Sequence, residues 1–408
     1  MNQHSFIPFH RPEIDGAEID AVTSTLRSGW LTTGARTAQF EKEFRDYIGA
    51  KDALALNSGT AALHLALAAL GIGPGDEVIT TPLTFCATVT AIMHVGAKPV
   101  LADIGADGNI DPACIEQKIT ARTRAVIPVH FAGAPCQMDQ IWALAKKYDL
   151  FVVEDAAHAA GTLYRDRHVG AESFASDAVA FSFYATKNMT TGEGGMITAN
   201  SEALLARMRI LALHGINRDA WGRYRESGNW YYQVLEAGFK YNLSDLQSAI
   251  GIQQLHKLER FIEKRTQYAD LYNQLLGGIE ELEVPQPARN GRHSWHLYVL
   301  RLNLEELSIN RAAFVSELRG RCIGASVHFI PIPLHPFFQD HATRPENDCP
   351  QCFELYPRLI SLPLYPSMAE EEVCYVADSV REIVETFRKP RLTAAPMGTG
   401  HAGQWSPL

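Results

Sequence analysis

Three short stretches of this 408-residue chain carry residue types that chemistry needs, at places where a fold could use them. The first is Asn57-Ser58-Gly59-Thr60, set between an apolar run and an apolar helical pattern. Unpaired backbone N–H groups and the positive end of a helix dipole face whatever precedes a helix. Gly59 lets an anion approach the backbone, and Ser58 and Thr60 add hydroxyls, so a phosphate fits there. Taken alone, the commoner reading of this motif is a simple N-cap. No P-loop or dinucleotide fingerprint is present, since Gly71-Ile72-Gly73-Pro74-Gly75 falls between a helix and a strand, the wrong order for one.

The second stretch runs from Leu150 through Glu154 and Asp155 to His158. A short apolar strand delivers two acids to its carboxyl end, and alternation of side chains turns Glu154 and Asp155 to different sides. One of them can look into a ligand crevice, while a lone terminal Asp is more often a cap or turn residue. The third stretch places Lys187 after the apolar run that ends near Ser182 and before Gly192-Glu193-Gly194-Gly195. A lysine held away from water becomes a usable amine nucleophile. A lone loop lysine is ordinarily solvated. The combination changes the weighing: a phosphate cradle, a strand-end acid and a strand-end amine follow one another along one predicted sheet edge. Pyridoxal 5'-phosphate (PLP) needs all three, because its phosphate must be anchored, its pyridine nitrogen kept protonated and its aldehyde held by an amine.

The elements that must position these groups alternate. Strands are predicted over residues 53–56, 77–81, 99–102, 125–129, 150–153, 178–183 and 195–199, with helices over 60–70, 85–95 and 138–147 among them. That order argues for an α/β fold, a large mostly parallel sheet with helices on both faces, whose ligands collect at the carboxyl ends of the strands. After Asn242 the pattern changes to a long helix over 243–276, broken near Gly251. Strands over 296–302 and 325–329 and helices over 311–319 and 369–387 follow. The expected division is a large domain over 1–250, a smaller C-terminal α+β domain over 251–389, and a disordered tail over 390–408 rich in Pro, Gly and Ala.

With 46% hydrophobic residues the chain can bury a sizeable core, and its net charge of −9 with no basic run argues against nucleic acid as a partner. The N-terminus lacks a signal-peptide pattern, and the most apolar helical stretch, 61–70, contains His64 and is too short to span a bilayer, so no membrane is expected. Seven scattered cysteines read as reduced thiols of a cytoplasmic protein. Cys349 and Cys352 form a CxxC without a second ligand pair, so no metal is expected.

The chain resembles the DegT/StrS family of PLP-dependent nucleotide-sugar aminotransferases over nearly all of residues 5–388. The carrying motifs are Asn57-Ser58-Gly59-Thr60, Glu154-Asp155-Ala156-Ala157-His158, and Ser182-Phe183-Tyr184-Ala185-Thr186-Lys187 with the glycine turn behind it. His214-Gly215, Gly238 to Asp245, Val327-His328-Phe329 and Leu362 to Pro366 add to them. The resemblance implies a PLP fold-type I homodimer with an active site shared between subunits. It assigns the Schiff base to Lys187 and the pyridinium contact to Asp155. It gives the phosphate to Gly59, Thr60 and Ser182, lays Phe85 against the cofactor ring and sets His158 near the 3-hydroxyl. Core packing at a helix start is the alternative for Phe85. Many members carry Asn where this chain has Lys240 and Arg where it has Asn242. The Lys240-Tyr241-Asn242 form resembles the 4-amino-4-deoxy-sugar aminotransferases, which implies that Lys240 reaches the phosphate of PLP in the neighbouring subunit.

The resemblance further implies transfer of an amino group from L-glutamate to a nucleotide-diphosphate-linked 4-keto, 6-deoxy sugar, through pyridoxamine 5'-phosphate. Arg218, Arg223 and Arg225 near Trp230, with His328 and His335, are candidate contacts to that substrate. Ordinary surface charge and satisfied histidines are the alternative for them. The rival activities are amination at C3 or on a cyclitol or aminoquinate precursor, a non-catalytic PLP-binding regulator, and a sugar dehydratase. The last would need its lysine replaced, and Lys187 is present.

Overall fold

The computed structural model describes residues 5–217, 231–339 and 348–390. Its strands in chain order are β1 (Asp52–Leu56), β2 (Glu77–Thr80), β3 (Lys98–Leu101), β4 (Thr123–Ile127), β5 (Phe151–Asp155), β6 (Leu163–Tyr164), β7 (Arg167–His168), β8 (Ala178–Ser182), β9 (Gly195–Ala199), β10 (Leu282–Glu283), β11 (Gly291–Arg292), β12 (Tyr298–Leu302) and β13 (Leu359–Leu362). Seven of them form one sheet in the order β1-β9-β8-β5-β4-β2-β3. Only β9 runs against the rest, being antiparallel to both β1 and β8, while the remaining pairings are parallel.

Alternation along each strand divides the sheet's side chains between two cores, as it must when both faces are covered. Ala53, Ala55, Val126, Val152, Val179 and Phe181 join one core, together with residues of the helices Ala35–Ile48, Met138–Tyr148 and Asp245–Leu276. Leu54, Leu56, Ala125, Ile127, Val153, Ala178 and Ala180 join the other, under the helices Gly59–Ala69, Cys86–His94 and Glu202–Leu211. A third core lies around the antiparallel sheet β10-β12-β13 and the helices Arg311–Gly320 and Glu370–Phe387. It also takes in Ile7 from the N-terminus, which bridges to Ile323.

Two expectations about the C-terminal part are corrected. The helix Asp245–Leu276 is continuous through Gly251. That glycine answers to a close approach: a Cβ there would lie 2.7 Å from the Phe40 ring and 2.9 Å from the Thr191 methyl. The same helix serves two cores, with Leu255, Leu258 and Ile262 in the first and Tyr268, Tyr272 and Leu276 in the third. The strand expected over 325–329 does not form. Only Ser326 pairs, with Ser361, and beyond it Pro331 and Pro333 lack the N–H groups that a strand needs. The tail expected over 390–408 lies, from residue 391 on, outside the described residues.

Because the Gly251 side of the helix has no room, Gly251→Val should lower stability by about 1–3 kcal/mol, although valine costs no more helix propensity than glycine. A denaturant midpoint unchanged from the parent would show that Phe40 yields freely.

Candidate active site

Strand register brings the chemistry-bearing residues to one edge. Ser182 pairs with Gly195, Gly195 pairs with Leu56, and Asp155 stands opposite Ala180. The carboxyl ends of β1, β5 and β8 therefore lie side by side, and a cavity of about 630 Å³ opens there. Gly59, Thr60, Phe85, Asp155, His158, Ser182, Lys187 and His328 all line it. Its size suits a cofactor with part of a substrate, within the roughly 300–1,000 Å³ of ligand sites.

Ser58 is the N-cap of the helix Gly59–Ala69, its Oγ accepting from the Ala61 amide at 3.0 Å. The cap and cradle readings are thus compatible, since the cap leaves the Gly59 and Thr60 amides at the open end of the helix. The backbone there is crowded. A Cβ on Gly59 would meet Ser182 Cβ at 2.9 Å, and one on Gly195 would meet the Ser58 carbonyl carbon at 2.5 Å. Behind β8, Lys187 is held by a turn in which its amide donates to the Tyr184 carbonyl at 2.9 Å. Thr190 and Thr191 tie the following loop back to the Phe183 carbonyl. Burial brings the Lys187 amine down to about 8, with nearby Asp155 pulling it the other way.

Asp155 is buried, its Oδ2 accepting from Thr88 Oγ1 at 2.8 Å and its Oδ1 from the Ala157 amide at 3.1 Å. Thr84 Oγ1 lies 2.7 Å from Thr88 Oγ1 and extends this hydroxyl chain. Burial pushes the Asp155 carboxyl up, while the two hydrogen bonds and the charge of Lys187 work to keep it ionised. Glu154 faces the other side, as alternation requires. It accepts from His130 Nε2 at 2.7 Å and from Ser176 Oγ, within a buried network away from the cavity.

His158 is buried with no hydrogen-bond partner for its Nδ1. Burial, together with Lys187 and neighbouring histidines, holds it neutral, far below the usual histidine range. Its ring stacks on Phe329 at 5.6 Å and lies 4.3 Å from that of His296. His328 is brought down to about 4 by burial and then by Lys187. Phe85 is 60% exposed and lines the cavity, so it is not packed into a core as the alternative reading would have it. These features fit PLP: a glycine-walled cradle at a helix N-terminus, a hydrogen-bonded buried carboxylate, an amine of lowered basicity and an orphaned imidazole nitrogen.

Lys240 stands apart. Its side chain is exposed and outside this cavity, while its carbonyl accepts from Asn57 Nδ2 at 3.2 Å beside the cradle. His335 does not line the cavity either. Arg218, Arg223, Arg225 and Trp230 lie outside the described residues. The sequence reading passed over Thr84, Thr88, Tyr184, Glu193 and His296, all of which line the cavity. Thr88 was visible as the second threonine of Thr84-Phe85-Cys86-Ala87-Thr88, one helical turn from the first; nothing local marks His296. Cys349 and Cys352 are both buried in an apolar core, and their thiols are pushed up by burial. Among the described residues no group of three metal-capable side chains occurs, and no helix is long and apolar enough to cross a membrane.

Comparison with known proteins gives the same picture. Residues 12–381 match the model of the DegT/DnrJ/EryC1/StrS aminotransferase family. The spore coat polysaccharide biosynthesis protein SpsC of Bacillus subtilis is 48% identical over 387 residues, covering 94% of this chain and 99% of its own. A Streptococcus pneumoniae sugar aminotransferase, Spr1654, superposes in its pyridoxamine-phosphate form with a TM-score of 0.87 at 33% identity, covering 93% of this chain and 99% of that one. It has also been solved in a PLP form. Helicobacter pylori PseC, an aminotransferase involved in the biosynthesis of pseudoaminic acid, superposes with a TM-score of 0.86 at 30% identity over 94% of this chain and 100% of its own.

In cofactor-free protein, Lys187 should titrate near 8. Asp155 raises that value, so Asp155→Asn should move it lower still. The pH dependence of amine labelling at the Lys187 peptide reads both; an unchanged or rising midpoint in the variant would contradict the pairing.

Proposed function

The chain belongs to the DegT/DnrJ/EryC1/StrS aminotransferase family and is a PLP-dependent sugar aminotransferase of fold type I, and from that premise we propose that it moves the amino group of L-glutamate to a nucleotide-linked 4-keto-6-deoxy sugar. The observation that carries the reading is the meeting of Lys187 and Asp155 on one cavity whose far wall is the Gly59–Ser182 cradle. The Lys240-Tyr241-Asn242 form supports C4 as the position aminated. Likeness to SpsC, a spore coat polysaccharide biosynthesis protein, supports a product destined for a polysaccharide.

Bound PLP supplies an electron-accepting ring and an aldehyde carbon. Lys187 Nζ would be the amine that holds that carbon and, once released, would carry a proton between carbon centres. An amine near 8 is partly unprotonated at neutral pH and can do both. Asp155, whose ionised form the Thr88 and Ala157 hydrogen bonds favour, would hold a proton on the pyridine nitrogen. Ser182 Oγ and the Gly59 and Thr60 amides would anchor the phosphate. The exposed Phe85 ring would lie against the cofactor, and the unpartnered Nδ1 of His158 would take its 3-hydroxyl. His328 lines the cavity from the C-terminal part and would face the substrate.

The enzyme works in this reading as a homodimer. The exposed Lys240, outside its own cavity but anchored through Asn57 beside the cradle, reaches the phosphate site of the neighbouring subunit. A charge-assisted hydrogen bond of that kind contributes about 1.5–3 kcal/mol.

The substrate is tested by incubating the enzyme with glutamate and UDP-, dTDP- and GDP-linked 4-keto-6-deoxyhexoses, then locating nitrogen in the product. A new amine at C4 is expected; amination at C3 only, or of no nucleotide sugar, would refute the assignment. Lys240 is tested by co-expressing a Lys187→Ala chain with a Lys240→Ala chain. If Lys240 acts across the interface, the heterodimer gains one site native at both positions and binds PLP there with native affinity. A lysine-bearing site as weak as that of the Lys240→Ala homodimer would place the contact within one subunit.

A further inference from the structure

His296 lines the cavity, yet it enters from the far side of the fold, just before β12, and no part of the mechanism above uses it. Its orientation is set by Asn188, the residue after Lys187. The Asn188 Nδ2 group donates to two carbonyls, Ala160 at 3.3 Å and Ser294 at 3.0 Å. An amide nitrogen can only donate, so the opposite end of the carboxamide, Oδ1, is an acceptor. His296 Nδ1 lies 3.1 Å from that Oδ1 and must therefore carry the proton. Burial, with positive neighbours including Lys187 and Arg265, keeps the ring neutral, far below the usual histidine range. A neutral ring with its proton on Nδ1 leaves Nε2 bare.

The ring cannot easily turn to offer the other nitrogen. It packs against His158 at 4.3 Å. Its backbone is pinned from beneath by Arg265, whose Nη1 donates to the carbonyls of Trp295, His296 and Leu364 at 3.2, 3.3 and 2.8 Å. Arg265 itself is fully buried. Ser294, two residues earlier, donates to the His158 carbonyl at 2.9 Å and fixes the segment to β5's loop.

A bare imidazole nitrogen facing a ligand is a hydrogen-bond acceptor, and that selects among the molecules the site receives. The PLP phosphate and the carboxylates of glutamate present acceptors and would be repelled by its lone pair, while glutamate's only donor, its ammonium, is the group that the reaction consumes. A sugar presents hydroxyl donors. We infer that Asn188 locks His296 so that Nε2 accepts a hydrogen bond from a hydroxyl of the sugar substrate, making His296 a specificity residue for the sugar half of the reaction. The inference rests on the family's sugar activity and deepens the proposed function by naming a contact on the substrate itself.

Two substitutions separate acceptor from scaffold. In His296→Asn the side-chain amide can still donate to Asn188 from the place of Nδ1, but nothing occupies the place of Nε2. In His296→Gln the carboxamide reaches the place of Nε2 and restores an acceptor there. On the nucleotide keto sugar that the wild type turns over best, Asn should raise KM roughly 5- to 10-fold, the worth of one hydrogen bond. Gln should recover most of that, and the glutamate half-reaction, followed by absorbance, should change less in both. A merely structural role predicts the reverse order, Asn tolerated better than Gln. Independently of activity, nitrogen-15 NMR of histidine-labelled protein, with His296 assigned by its absence in the variants, should show a protonated Nδ1 and an unprotonated Nε2. A protonated Nε2, a Gln variant no better than Asn, or a defect confined to the glutamate half-reaction would overturn the assignment. Wild-type inactivity toward every nucleotide keto sugar would instead sink the substrate reading, with the NMR result still deciding the state of His296.

Discussion

Burying an ionised carboxylate at the end of a parallel strand is expensive unless its lone pairs are taken and a positive partner stands near. Asp155 meets that requirement from three directions. The Thr88 hydroxyl reaches Oδ2, the Ala157 amide reaches Oδ1, and Lys187 supplies the charge. The Ala157 bond is local, but Thr88 follows β2 and Lys187 follows β8, so the carboxylate gains both of those partners only when β2, β5 and β8 lie in their observed order. The dependence runs both ways. The same negative charge supports the protonated form of Lys187, whose burial would otherwise carry its pKa lower than about 8. Acid and amine thus each favour the charged form of the other against the cost of burial.

Alternation within β5 separates two jobs that look identical on paper. Glu154 and Asp155 are neighbours, both acidic and both buried. Glu154 turns to His130, whose Nδ1 is already engaged by the Cys136 amide at 3.1 Å and whose Nε2 therefore donates to the carboxylate. Ser176 adds a second donor and is itself held by Trp142 Nε1 at 2.8 Å. This closed network lies behind the sheet, away from the cavity. Each carboxylate accepts one bond on each oxygen, and what separates them is that Asp155 alone of the two lines the cavity.

The third constraint is mechanical. The helix Asp245–Leu276 begins with a capping box at Ser244 and Gln247, and Asp245 caps the helix Ala35–Ile48 through the Gly34 and Thr37 amides at 2.8 and 2.9 Å. It then crosses from the core under the large sheet to the core around β12. Arg265, near its middle, spends its one paired nitrogen on three carbonyls of the segment that carries His296. Burial without an acid partner brings this guanidinium down to about 9. Such a cost is tolerable where it fixes the placement of a wall of the cavity on the opposite core.

Much of this was legible from the chain alone. The strand and helix alternation of the first two hundred residues follows from periodicity, and so does the turning of Glu154 and Asp155 to opposite faces. The glycines and hydroxyls around Gly59 and Gly195, and the lysine after a buried strand, declare themselves through turn and cap chemistry. These are short-range effects, governed by residues a few positions apart. What only the tertiary structure decided depends on residues far apart in sequence. Thr88 meets Asp155 across 67 positions and His296 meets Asn188 across 108. Gly251 exists for the ring of Phe40, and the 325–329 segment stays irregular because only Ser326 finds a strand to pair with. A local pattern says which face a side chain takes; the group awaiting it there is supplied by a distant part of the chain, and only the packing of the whole brings the two within hydrogen-bonding distance.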